Sequence, residues 1–172
     1  MDVDARTDPP LEASEKDMLT AWLDWHRATL TMKVDGVPDG DLRRAMVPSG
    51  TSLLGIVKHL AYVERGWFQN VFLGHDVEFP GDDDDPDADW RVETAESTAD
   101  ITALYSAEVA KSQAIVADHS LDDHARLDRR LRRGHASEFT LRWIVVHMIE
   151  ETARHNGHAD ILREMIDGAT GT

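Results

Sequence analysis

His147-Met148-Ile149-Glu150-Glu151-Thr152-Ala153-Arg154-His155-Asn156-Gly157-His158 is the stretch on which the reading of this chain turns. Thr140 ahead of it can cap a helix, and Gly168 behind it can end one near Asp167. Inside that helix Glu151 and His155 are four residues apart, so they lie one above the other on the same face. Ile144, Met148, Leu162 and Ile166 share the face, which predicts that it turns inward. A carboxylate and an imidazole on an inward face are costly unless something pairs with them. A divalent metal is the pairing these residue types suggest.

Working outward, three more helices are legible. Ser14 can cap the first, with Asp17 three residues on as an acidic capping box. Met18, Trp22, Trp25, Thr29 and Met32 follow at spacings of three and four, and the turn-forming run at residues 35–40 ends it. The run at residues 48–52 introduces the second. Its stripe of Leu53, Ile56, Val57, Leu60, Val63, Trp67, Val71 and Phe72 has helical period, and Gly74 can stop it. Residues 75–93 read as a long solvated loop. Asp82-Asp83-Asp84-Asp85 within it lacks the spacing of an EF-hand.

A third helix should start near Ser97 or Thr98 and run to about His119, with Ile101, Leu104, Tyr105, Val109, Ile115 and Val116 as its apolar positions. Residues 120–139 are polar and irregular; Leu127, Leu131 and Phe139 can anchor them, and a short β-hairpin is a weak alternative. Four long amphipathic helices with long connections predict an all-α four-helix bundle whose packing order need not follow the chain. The expected organisation is a flexible tail over residues 1–12 and one domain over 13–168, in keeping with a length of 172 residues.

Composition narrows the function. A net charge of −15 opposes binding to nucleic acid or anionic lipid. The basic run Arg129-Arg130-Leu131-Arg132-Arg133 reads as paired with neighbouring acids; the functional alternative is an anion site. Arg130 and Arg133, together with Arg154, are therefore the candidates for binding a substrate carboxylate. The absence of cysteine removes any disulfide and any protein thiolate. No apolar run reaches about 18 residues, so no membrane span is expected. Met1-Asp2-Val3-Asp4-Ala5-Arg6 lacks the pattern of a signal peptide, and a cytoplasmic location is the expectation.

Nine histidines are many for this length. His59 lies in the second helix, flanked by the Ile56, Leu60 and Val63 stripe. With Glu151 and His155 it would form a three-ligand site between helices, as bundle metal sites do. Two nitrogen donors and a carboxylate suit zinc; nickel, iron(II), cobalt and manganese are the alternatives. Three protein ligands leave an open position, the mark of a catalytic site. The metalloprotease pattern His-Glu-x-x-His is absent, because Met148 follows His147.

Each residue also has a plain reading. His59 can be a packed edge histidine, and Glu151 a surface acid paired with Arg154. His147 and His158 continue the column of Glu151 and His155 at helical spacing. Either can be an extra ligand or a supporting partner, or His147 can be exposed and His158 packed on the core. Trp25, Trp67 and Trp143 read as core, His26 has no evident partner, and His75, His119, His124 and His135 read as solvated.

Two segments carry a resemblance. Residues 52–68, Ser-Leu-Leu-Gly-Ile-Val-Lys-His-Leu-Ala-Tyr-Val-Glu-Arg-Gly-Trp-Phe, resemble the second helix of the DinB-like superfamily. Residues 151–164, Glu-Thr-Ala-Arg-His-Asn-Gly-His-Ala-Asp-Ile-Leu-Arg-Glu, resemble its last long helix. The likeness covers about residues 14–168 and is nearest to an uncharacterised actinobacterial branch. That branch is related to mycothiol-dependent maleylpyruvate isomerases and bacterial thiol transferases.

The resemblance implies a metal held by His59, Glu151 and His155. Many members carry His where Glu151 stands; the isomerases carry Glu. It also implies a homodimer, with Phe68 and Phe72 as apolar residues for the contact. The isomerases have a further C-terminal domain for which this chain has no room, so a stand-alone thiol S-transferase is the closer analogue. The implied activity is transfer of a low-molecular-weight thiol such as mycothiol to a small molecule, the sulfur held at the metal as thiolate. The alternatives are a metal-dependent hydrolase and a non-catalytic, metal-binding dimeric scaffold of the stress-response kind.

Overall fold

The computed structural model describes residues 6–82, 84–126 and 139–170. Five α-helices occur among them: α1 (Glu15–Val34), α2 (Asp39–Leu42), α3 (Leu53–Glu64), α4 (Thr98–Asp118) and α5 (Leu141–Asp167). α3 runs directly into a π-helical segment, Arg65–Phe72. The four long helices begin on the residues expected to cap them. Ser14, Ser52, Ser97 and Thr140 each accept a hydrogen bond from the backbone N–H three residues on. Gly168 ends α5 with φ +77°, a left-handed conformation, and its N–H donates to the Glu164 carbonyl.

The helices form a bundle that does not follow chain order. α1 and α5 run parallel: Arg142 reaches Glu15, Asn156 bonds the His26 carbonyl, and Arg163 bonds the Lys33 carbonyl. α3 and α4 are the second parallel pair, joined by Lys58–Glu96 and Arg65–Glu108. The pairs oppose each other, since Lys16 near the start of α1 bonds the His119 carbonyl just past the end of α4. Parallel neighbours need a connection that travels back along the bundle. Residues 73–97 supply it between α3 and α4.

The α3 stripe is buried as expected, and Ile144, Val145 and Met148 of α5 close against it. α1 departs from expectation. Its inward positions are Leu23, Arg27, Leu30 and Lys33, with Thr29. Of the expected stripe Thr29 alone is buried, and Trp22 is exposed. The reason is that two inward positions are cations. Arg27 grips Glu64 through Nε and Nη2 at 2.8 and 2.7 Å, and Lys33 meets Asp160 at 2.7 Å. Trp22, Trp25 and His26 pack on one another outside that seam, and the Arg6 guanidinium lies 4.4 Å over the Trp25 ring.

Phe68 and Phe72 are fully buried, so they are not available for a dimer contact. The i→i+5 turn shifts the phase of the helix, and Trp67, Phe68, Val71 and Phe72 all turn inward. Trp67 is core, as expected; Trp143, at the start of α5, is 42% exposed. His119 is half-buried, with Nδ1 2.9 Å from the Ile115 carbonyl and its ring edge-on to Phe72. A single antiparallel bridge, His124 with Thr140, occurs in the region where a hairpin was considered. Leu127, Leu131, His135 and the basic run at 129–133 lie outside the described residues. No described helix is long and apolar enough to cross a membrane.

Candidate metal centre

α3 and α5 cross in opposite directions, and the crossing brings His59 against the Glu151/His155 pair. His155 Nε2 is 3.1 Å from Glu151 Oε1, and His59 Nε2 is 3.6 Å from the same oxygen. One donor atom from each residue lies within 4.8 Å of the other two. Glu151 and His155 are buried and His59 nearly so. The triad forms part of the wall of a cavity of about 540 Å³.

The outer ring nitrogens are engaged as well. His59 Nδ1 lies 2.9 Å from Asp89 Oδ2. An ionised carboxylate only accepts, so Asp89 favours a proton on Nδ1 and leaves Nε2 as the nitrogen that faces Glu151 and His155. His155 Nδ1 lies 3.4 Å from His158 Nδ1. Trp90 stacks on the His59 ring at 3.8 Å between centroids and sets its edge toward His155.

Asp89 and Trp90 belong to the long connection, which is fixed to α3 beside the site. Lys58 is 2% exposed. Its Nζ donates to the Arg91 carbonyl at 2.7 Å and to Glu96 at 2.8 Å. Gly55 lets the chain close in: a Cβ there would fall 2.5 Å from the Trp90 carbonyl oxygen.

Charge follows geometry. The Glu151 carboxyl is held well below the usual carboxylate range by His155, then His59, which with the Arg154 charge outweigh its burial. Burial pushes His59 down, but its bonds to Asp89 and Glu151 prevail and raise it. His158 is lowered, first by burial and then by the neighbouring His155 and Arg154. A carboxylate kept ionised between two imidazoles is a donor set compatible with a divalent cation.

A family model for mycothiol-S-transferase matches residues 18–168. The chain belongs to the mycothiol-S-transferase family. A search of curated proteins gives no match. The DinB-like resemblance of α3 and α5 is thereby accounted for.

Other candidate residues of this mycothiol-S-transferase family member fall into place around the triad. Arg154 donates to Glu151 through Nη2 and lines the cavity, so the surface pairing and the inward triad coexist at Glu151. His158 also lines the cavity. His147 stands apart: it stacks on Trp143 at 5.2 Å, meets Trp67 edge-on, and lies 3.7 Å from Glu150. Burial lowers its pKa. Arg130 and Arg133 lie outside the described residues. Asp89 and Trp90 were missed from sequence, being part of a run read as solvated loop. The available signal was indirect: Gly55 and Lys58 interrupt an apolar stripe that has no local use for either.

Proposed function

We propose that this protein is a metal-dependent thiol S-transferase. His59 Nε2, a Glu151 oxygen and His155 Nε2 hold a divalent cation, zinc by donor type. A mycothiol-type cofactor supplies the sulfur, and a small electrophile receives it. The observation that carries the reading is the convergence of three donors in a cavity wall, two of them with their outer nitrogens already engaged. Bound there, the cation would act as a Lewis acid that lowers the pKa of a thiol at neutral pH.

The chain's own residues do the rest. Asp89 favours the His59 tautomer with its proton on Nδ1, and His158 lies beside the outer nitrogen of His155. Trp90, Ile161 and Leu162 keep water from the reacting sulfur, and Arg154 offers a guanidinium to a carboxylate of either substrate. In the transfer, a sulfur–carbon bond forms as the bond from carbon to its leaving group breaks. The leaving group departs with the electron pair and the thiol proton passes to solvent. With no cysteine in the chain, the sulfur must come from the cofactor. A volume of about 540 Å³ is of the size small-molecule sites have.

The test is metal content by plasma mass spectrometry on untagged protein prepared without chelator, followed by thiol-transfer assays. We expect close to one metal per chain in the wild type and almost none in His59→Ala or His155→Ala. Unchanged stoichiometry in His155→Ala sinks the assignment. Metal-dependent turnover of an ester without added thiol would replace it with a hydrolase.

A further inference from the structure

The space above the triad does not end at Trp90. A second cavity of about 560 Å³ shares Ser49, Thr51 and Trp90 with the first and is completed by Gly50, Asp87 and Arg91. The two lobes differ in chemistry. The triad lobe has the aliphatic walls Val47, Ile161 and Leu162. The second lobe has no aliphatic wall; it has two hydroxyls, a carboxylate, a guanidinium and an indole.

A transfer between two substrates needs two subsites that meet at the reacting atom. We propose that the second lobe binds the hydroxyl-rich, carbohydrate-like body of the thiol cofactor, while the triad lobe takes an electrophile with an apolar body. This rests on the S-transferase reading and extends it to the substrates. A polyol gives up many hydrogen bonds to water on binding and needs donors and acceptors together. Ser and Thr hydroxyls supply both, Asp accepts, and Arg and the indole donate. An apolar ligand in the same lobe would displace water from the carboxylate and the hydroxyls without replacing its hydrogen bonds.

The lobe is built rather than incidental. Ser49 and Thr51 sit in a closed turn: the Met46 N–H donates to the Thr51 carbonyl, and the Gly50 N–H donates to the Val47 carbonyl. Gly50 takes φ +85°, which favours glycine. The turn sets the two hydroxyl oxygens 2.9 Å apart. On the opposite wall, Arg91 is oriented by Asp85, and its backbone is pinned by buried Lys58. Trp90 borders both lobes, so a thiol lying across it places its body in one and its sulfur in the other.

The proposal is tested on the metal-loaded protein with mycothiol and, as a thiol lacking the carbohydrate, N-acetylcysteine, against one apolar electrophile. For Thr51→Val and Asp87→Ala we expect kcat/KM for mycothiol, relative to N-acetylcysteine, to fall roughly tenfold per lost contact. A ratio that stays at the wild-type value in both variants overturns the assignment. Binding of S-methylated mycothiol, followed by calorimetry, decides the matter even if wild-type protein transfers no thiol. Affinity lost in both variants upholds the lobe, and unaltered affinity rejects it. Absence of transfer alongside such binding would count against the S-transferase reading and not against the subsite.

Discussion

Replacing Asp89 with Asn should weaken metal binding with little effect on the fold. Asp89 Oδ2 lies 2.9 Å from His59 Nδ1, while Nε2 of the same ring faces Glu151 at 3.6 Å, on the side where the cation would sit. The Asp89 carboxylate can only accept, so with a cation on Nε2 it holds the ring proton on Nδ1. Asparagine presents both a carbonyl and an NH₂ group, and it carries no charge. Loss of such an orienting partner weakens metal sites by about 10- to 100-fold, or about 1.4–2.7 kcal/mol. Stability without metal should change by no more than about 1 kcal/mol, because the side chain is partly solvated and the hydrogen bond survives in neutral form. Gly55→Ala should act in the same direction by another route, since its Cβ would drive the Trp90 carbonyl, and Asp89 with it, away from α3. The assay is zinc competition against a chromophoric chelator, paired with urea unfolding of the metal-free protein. Wild-type zinc affinity in Asp89→Asn would refute the reasoning. So would a loss of metal-free stability as large as the loss of binding, because Asp89 would then serve the fold and not the ring.

Three further outcomes follow from the same contacts. Glu64→Gln removes the one buried carboxylate that meets the Arg27 cation, leaving it the half-exposed Asp24, and should cost about 3 kcal/mol in urea unfolding. The double change Arg27→Met with Glu64→Leu should cost far less, and equal losses would show that the pair is not the source. Glu108 is buried, yet bonds from Arg65, Lys111 and Gln69 outweigh that burial and hold its carboxyl below the usual range. Its folded pKa is depressed, so its contribution is full above the unfolded value of about 4.5 and fades as pH falls through the folded one. The stability difference between wild type and Glu108→Gln should thus be largest near neutrality and shrink in acid; a difference that does not vary with pH contradicts this. His147→Phe should leave metal stoichiometry untouched, since the ring's neighbours are Trp67, Trp143 and Glu150, and plasma mass spectrometry on that variant checks it.

Much of the architecture was legible because its signals are local. A hydroxyl three residues ahead of a backbone N–H marks each long helix start, and Gly168 marks the last stop. The α3 stripe and the spacing of Glu151 and His155 are also local, being consequences of helical period. The failures are non-local. α1 was read one face out of phase because Trp22 and Trp25 look like core, while Arg27 and Lys33 look like surface. What reverses this is a pair of acids on other helices, Glu64 and Asp160. Phe72 stood both in the inward stripe and among the contact residues, and the stripe is the reading that holds; Phe68 joins it in a segment that widens to an i→i+5 turn. Asp89 and Trp90 stand in a run with no period at all, so nothing near them in sequence indicates where they go.

What places them is the topology together with Lys58. Because α3 and α4 are parallel, the chain between them must return along the bundle, and its course takes it over the first turns of α3, where His59 lies. A long loop in such a bundle is therefore available as a wall for the site without any added element. Neighbouring positions on a helix differ by about 100° in direction, so Lys58 and His59 cannot face the same way. His59 turns to α5, and Lys58 turns to the returning chain and is buried against it through Arg91 and Glu96. One turn earlier Gly55 removes the side chain that would hold that chain off. The same short stretch of α3 thus offers an imidazole to the triad on one side and grips, on the other, the loop that orients that imidazole. The run from Asp85 to Glu96 is therefore not free to vary in length, because moving it would change the His59 ring and the boundary between the two lobes together.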